Sequence, residues 1–314
     1  MKKIFALIAF AAVIFSAASC KKSEQPASFQ GQDLVEISFT IDATDVITKT
    51  ISDGKQADQL YYVVYKADGT KTTMEATLSN ITFPYNLQLK LAKGFSYKVF
   101  FFAQNTALQA YTVTTADGNS AILEADYSKV ATGDEAADCF YAYKDITVSA
   151  GLNETVTLYR AVAQINVGTT DFTEFAATAI SDLSTVTVAY TDIPKKVQLL
   201  DGSVLETTGT TANVVFSAAT CPMSDPDVLT VGTDTYKYLS MNYVLAPKPA
   251  STLFDAVYTF SAANQSVITT VSVPNVPVQM NHRTNILGQV LTGSVVFNIV
   301  IDETFDDPDY AVSL

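Results

Sequence analysis

The sequence predicts an all-β protein of antiparallel sandwiches, two of them in tandem, and three features lead there. Val, Thr, Ser and Tyr abound while charged residues make up only 16% of the chain, which suits sheets because β-branched and aromatic side chains fit a pleated, half-buried surface. Short runs of alternating apolar and polar residues recur along the chain with turn signals between them. Helical periodicity is nearly absent, and without strand–helix alternation a doubly wound fold is out. At 48% hydrophobic and 314 residues, the chain can bury a core and has room for two domains of ordinary size.

The elements follow in order. Lys2 and Lys3 precede an apolar run from Ile4 to Ala18, and Ala17-Ala18-Ser19 stands immediately before Cys20. A charged start, a short apolar region and small residues at the cut make residues 1–19 a secretory signal. The run is shorter than the ~20 residues that span a bilayer as a helix. A cysteine at the cut resembles the bacterial lipobox, which implies acylation of Cys20 and a membrane tether through several acyl chains, since one chain alone holds weakly. Residues 20–32 are polar, with Pro26 and Gly31, and read as a flexible spacer.

Val35, Ile37, Phe39 and Ile41 alternate with polar residues, the period of a first strand with one buried face. Ala43 to Gln59 is polar and turn-prone. Tyr61 to Tyr65 reads as a strand buried on both faces, Leu87, Leu89 and Leu91 as an alternating strand, and Tyr97 to Phe102 as a central strand apolar on both sides. Asp117-Gly118 and Gly133 to Asp138 read as loops, and Ile146 to Val148 as another strand. Between Thr155 and Val167 the apolar positions switch from even (Val156, Leu158) to odd (Ile165, Val167). That requires a bulge or a change of sheet. A domain boundary near Arg160 divides the chain into 33–160 and 161–314; a bulge inside a single domain is the alternative. Asp171 to Asp182 groups Phe172, Phe175, Ala176, Ala179 and Ile180 as a short helix. Strands are expected at Ser184–Tyr190, Ala212–Ser217, Tyr236–Leu245, Leu253–Phe260, Ser266–Val273, Thr284–Leu291 and Val295–Ile301. In the last, Val295, Phe297, Ile299 and Ile301 repeat the one-faced alternation of the first strand.

The formal charge is −13, or −15 once Lys2 and Lys3 leave with the signal. That repels phosphate backbones and argues against nucleic acid as a partner. Cys139 and Cys221 are two thiols far apart, either a single bridge or two buried small hydrophobes. His282 is the only histidine and nothing beside it resembles a nucleophile elbow. No His/Cys set has zinc spacing, and the acidic residues at 302–309 and Asp225-Pro226-Asp227 do not match a calcium loop. The expectation is no catalytic residue, no metal and no cofactor. Paired carboxylates for glycoside hydrolysis meet only in three dimensions, so spacing is silent on them. A sugar-binding surface would have to use tyrosines, since tryptophan is absent.

At Tyr159-Arg160-Ala163-Gln164-Ile165-Asn166-Val167 and at Asn281-His282-Arg283-Thr284-Asn285-Ile286-Leu287-Gly288 the chain resembles the fimbrillins, the major-fimbrium-subunit-like lipoproteins of gut and oral anaerobes. Lys49-Thr50 through Tyr65 and the ending Asp306 to Tyr310 fit as well, so the likeness extends over essentially the whole chain. The resemblance implies two transthyretin-like sandwiches and a structural place in a surface pilus, with other fimbrial subunits, the outer membrane and a surface receptor as partners. It implies processing after a basic residue, for which Lys49 stands where the family has arginine. Loss of the first strand would then open a groove for a C-terminal strand of the next subunit. A surface glycan-binding lipoprotein is the alternative.

Overall fold

The computed structural model describes residues 31–43, 55–177, 182–211, 213–224, 226–248, 252–292, 297–302 and 311–313. Cys20, Lys49, Val295 and the acidic residues 303–310 lie outside them. The first half forms β1 (Leu34–Asp42), β2 (Gln59–Lys66), β3 (Lys71–Ser79), β4 (Tyr85–Ala92), β5 (Ser96–Gln104), β6 (Tyr111–Ala116), β7 (Ser120–Ala125), β8 (Phe140–Thr147), β9 (Leu152–Thr157) and β10 (Tyr159–Arg160). The second forms β11 (Val162–Thr169), α1 (Phe172–Ala177), β12 (Leu183–Thr191), β13 (Pro194–Gln198), β14 (Val204–Thr207), β15 (Asn213–Thr220) and β16 (Val228–Val231). It continues with β17 (Asp234–Leu245), β18 (Thr252–Ala262), β19 (Val267–Val278), β20 (Arg283–Gly288), β21 (Phe297–Asp302) and β22 (Ala311–Ser313).

The fold is an all-β sandwich. A three-stranded sheet, β4-β1-β9, faces a five-stranded one, β10-β8-β5-β2-β3. A six-stranded sheet, β16-β17-β11-β20-β21-β22, shares a core with β15-β12-β18-β19. A bridging sheet, β14-β13-β7-β6, joins the two halves, with Val197 of β13 opposite Leu123 of β7. Strand pairs are antiparallel except β1–β9 and β11–β20, which are parallel.

The five-stranded sheet explains the apolar run at 97–102. Val99, Phe101 and Ala103 enter one core with Ile37, Phe39 and Ile41. Phe100 and Phe102 point the other way, into the larger core with Tyr65, Tyr111 and Tyr141. A strand buried on both faces needs apolar residues at every position, and β5 has them. β2 divides likewise: Val64 joins the first core, Val63 and Tyr65 the second.

The register switch between Thr155 and Val167 is a double change of sheet. β9 pairs with β1, β10 pairs with β8, and β11 enters the six-stranded sheet, where all eight of its residues are buried. α1 covers residues 172–177, with 178–181 outside the described range. The expected strand from Val295 is described from Phe297. Alternation overlooks β3, β6, β7, β13, β14 and β16. Cys139 and Cys221 are free and buried, the second of the two alternatives. Burial holds the Cys139 thiol well above its usual range and pushes that of Cys221 up to about 12.

Candidate assembly site

β1 sits between two strands, held by β4 along nearly its whole length and by β9 from Ile37 onward. It runs antiparallel to β4, from Leu34 opposite Ala92 to Ile41 opposite Tyr85, and parallel to β9, from Ile37 opposite Leu152 to Asp42 opposite Thr157. Its ends are pinned too: Lys93 N donates to Asp33 O at 2.8 Å, and Leu158 N to Asp42 O at 2.8 Å. Ile37, Phe39 and Ile41 are fully buried, and Phe39 meets Phe101 edge to face with centroids 5.5 Å apart. Val35 departs from the expected pattern. It is only half-buried and lies at the margin of the cluster. The three buried side chains contribute roughly 5–9 kcal/mol of gross burial, comparable with the ~5–15 kcal/mol net stability of a whole domain.

The C-terminal arm comprises β21 and β22. β21 pairs antiparallel with β20, from Gly288 opposite Phe297 to Arg283 opposite Asp302. β22 covers its outer side over Val300–Asp302, so the margin of this sheet is β22. Ile299 packs half-buried against the larger core.

The residues at 159–167 and 281–288 come together in a buried polar ladder. β11 and β20 run in parallel register, Gln164 opposite Arg283 and Asn166 opposite Asn285. Arg283 Nε donates to Gln164 Oε1 at 3.1 Å, Asn166 Nδ2 to Asn285 Oδ1 at 2.8 Å, and Tyr238 Oη to Asn166 Oδ1 at 2.6 Å. Beside them Arg160 Nε donates to Asp138 Oδ2 at 2.8 Å, with the side chains 5% and 4% exposed. Burial pushes the Asp138 carboxyl above its usual range, opposed by Arg160 and, more weakly, by the charge of Arg283. A buried polar group is tolerated when its partners are fixed, so these motif residues hold strands together. His282 Nδ1 lies 2.8 Å from Met280 O beside them.

A second carboxylate, named in the sequence only as the start of the expected helix, lies after β11. Asp171 is 1% exposed, and its Oδ2 accepts from Leu291 N at 3.1 Å, Thr292 N at 2.8 Å and Thr292 Oγ1 at 2.8 Å. Its other oxygen meets the Thr169 hydroxyl. Leu291 and Thr292 stand 120 and 121 positions from Asp171 in sequence, which is why pattern reading missed the site.

A groove of about 540 Å³ is lined by Thr112, Glu124, Tyr127, Lys195, Thr208 and Val215. Its Glu124 is already engaged by Lys195 and Lys196, at 3.7 and 3.2 Å. Among the described residues no three His, Cys, Asp or Glu side chains gather as a metal site, and no helix is long and apolar enough to cross a membrane.

The profile of DUF6562, a family of unknown function, matches residues 27–313. The chain belongs to the DUF6562 family. No curated protein matches its sequence. Among solved structures this DUF6562 chain is similar to a DUF1812 protein of Bacteroides thetaiotaomicron provisionally described as polysaccharide-binding. The TM-score is 0.52 at 12% identity, over 85% of this chain and 95% of that one. It is also similar to a C-terminally truncated form of the tip fimbrial protein Mfa3 from Porphyromonas gingivalis, with TM-score 0.50 and 14% identity over 86% of this chain and 99% of that one. At such identities the likeness is one of fold.

Proposed function

We propose that this DUF6562 chain is a non-enzymatic structural or accessory subunit of a cell-surface fimbrium, as stalk, tip or anchor. In this reading acylation of Cys20 first tethers it to the outer membrane. Cleavage at Lys49 then lets β1 depart, and a neighbouring subunit supplies the replacement strand. The chain divides after Arg160, with 33–160 carrying the acceptor groove and 161–314 the donor arm. The observation that carries the reading is the position of β1, hydrogen-bonded on both sides and filling the core with Ile37, Phe39 and Ile41. Its departure leaves a slot with two open ladders, the form in which a sheet accepts a foreign strand. The likeness in fold to a tip fimbrial protein supports it. The sequence of the arm suits the slot: set in register with Phe39, Phe297 brings Val295 to the place of Ile37 and Ile299 to that of Ile41.

The test is limited proteolysis of the full chain with a lysine-specific protease. Cleavage near Lys49 is expected to give a stable truncated protein that forms ladders surviving mild SDS. Monomers that unfold after the cut would overturn the reading.

A second reading, capture of a surface glycan, is favoured by one shallow groove of about 330 Å³. There the half-exposed ring of Phe95 stands beside Lys66, Asp68 and Ser96. Retardation by one polysaccharide in affinity electrophoresis, without polymer, would select it.

A further inference from the structure

The chain leaves β20 at Gly288 and returns beside it as β21. What fixes the departure point is a set of contacts from the end of β11. Thr170 N donates to Gly288 O at 2.9 Å, Val290 N donates to Thr169 Oγ1 at 3.2 Å, and Asp171 takes the amides of Leu291 and Thr292 together with the Thr292 hydroxyl. Among the described residues every partner of the Asp171 carboxylate is a neutral donor. Burial raises its pKa, but the hydrogen bonds from Thr169, Thr292 and the two amides outweigh that and hold it below the usual carboxylate range. An acceptor-only group that fills this place is chemically specific, since an amide of the same shape would turn an NH2 toward backbone N–H groups.

We propose that Asp171 is a clasp that retains the C-terminal arm on its own subunit, so that release of the arm is governed by this one carboxylate. Asp171 acts through the backbone at 291–292 and is a positioning residue. The clasp is a property of the isolated chain; its purpose, withholding a donor strand until a neighbour's slot is open, rests on the strand-exchange reading. The preceding strand β20 stays in place when the clasp opens, because its other side is paired with β11. Among the described residues the arm is held chiefly by its ladder to β20, with Ile299 half-buried beneath.

The test is amide hydrogen exchange, followed by mass spectrometry, on the full chain as wild type, Asp171→Asn and Thr292→Val. Asp171→Asn is expected to speed exchange about tenfold or more in peptides covering 297–302 and 311–313, while β12 and β18 keep wild-type rates. Thr292→Val removes one donor and leaves the backbone amide, so it speeds the same peptides by less. Unchanged arm rates in both variants would overturn the clasp. So would acceleration spread evenly over β12, β18 and the arm in both. Should Asp171→Asn alone unfold the whole chain, Thr292→Val decides: selective acceleration in the arm supports the clasp and any other result overturns it. A selective arm effect without SDS-stable ladders after proteolysis would leave the clasp standing and remove strand exchange.

Discussion

Phe39 shows how much one side chain contributes to the first core. Its ring is fully buried against Phe101, so Phe39→Ala is expected to cost about 3–5 kcal/mol in denaturant unfolding. Val35→Ala, at the half-buried margin, should cost under about 1 kcal/mol. The contrast checks the burial pattern of β1 against its sequence alternation, which treats the two positions alike. Arg160→Ala leaves Asp138 buried without its cation and is expected to cost about 3–5 kcal/mol in the same assay. Asp171 carries a pH prediction. Its folded pKa is depressed, so its contribution is present above the ordinary carboxylate pKa and is lost as pH falls through the folded value. Arm protection, corrected for intrinsic exchange, should be flat from about pH 5 to 8 and drop only below about pH 4. Loss of protection near neutrality would contradict the assignment. Neither Asp138 nor Asp171 was legible in sequence. Asp138 ends a stretch read as a loop and Asp171 opens one read as a helix, and the groups that engage them come largely from remote strands.

Elements were legible where both sides of a strand, or one side cleanly, must be apolar. The Phe100-Phe101-Phe102 run announced a central strand, and Ile37, Phe39 and Ile41 announced a one-faced strand, because burial dictates residue type at each position. β7 was missed for the opposite reason. Apart from Ile122, Ala121-Ile122-Leu123-Glu124-Ala125 is made of good helix formers, yet pairing with β6 on one side and β13 on the other holds it extended. Alternation also carries no direction, so the parallel pairs β1–β9 and β11–β20 were invisible. Their partners are distant in sequence. β11 tests the packing of its sheet at Gly168, beside the register shift after Val167. A Cβ there would stand 2.7 Å from Tyr236 Cβ and 3.0 Å from Leu229 Cδ2. Gly168→Ala is therefore expected to cost about 1–3 kcal/mol, read as a lowered midpoint in thermal unfolding.

At the scale of the molecule, the five-stranded sheet feeds two cores, and this ties the halves together. Residues 33–160 expressed alone would lose what the other half supplies to the shared core, including Met280 against Tyr141, Pro194 against Tyr127 and β13 beside β7. That fragment is expected to be aggregation-prone or to bind a hydrophobic dye, whereas the whole chain should melt in one calorimetric transition. A soluble fragment with native-like melting would show the halves to be independent. Composition pointed to sheets but could not reveal this sharing, which depends on which face of each strand meets which layer. The parallel β1–β9 pairing carries one more consequence. In the strand-exchange proposal, a segment that takes the place of β1 in the heading of β1 runs with β9 and against β4, so every such junction points the same way. A filament built on the strand-exchange proposal would be head-to-tail, with two chemically unlike tips.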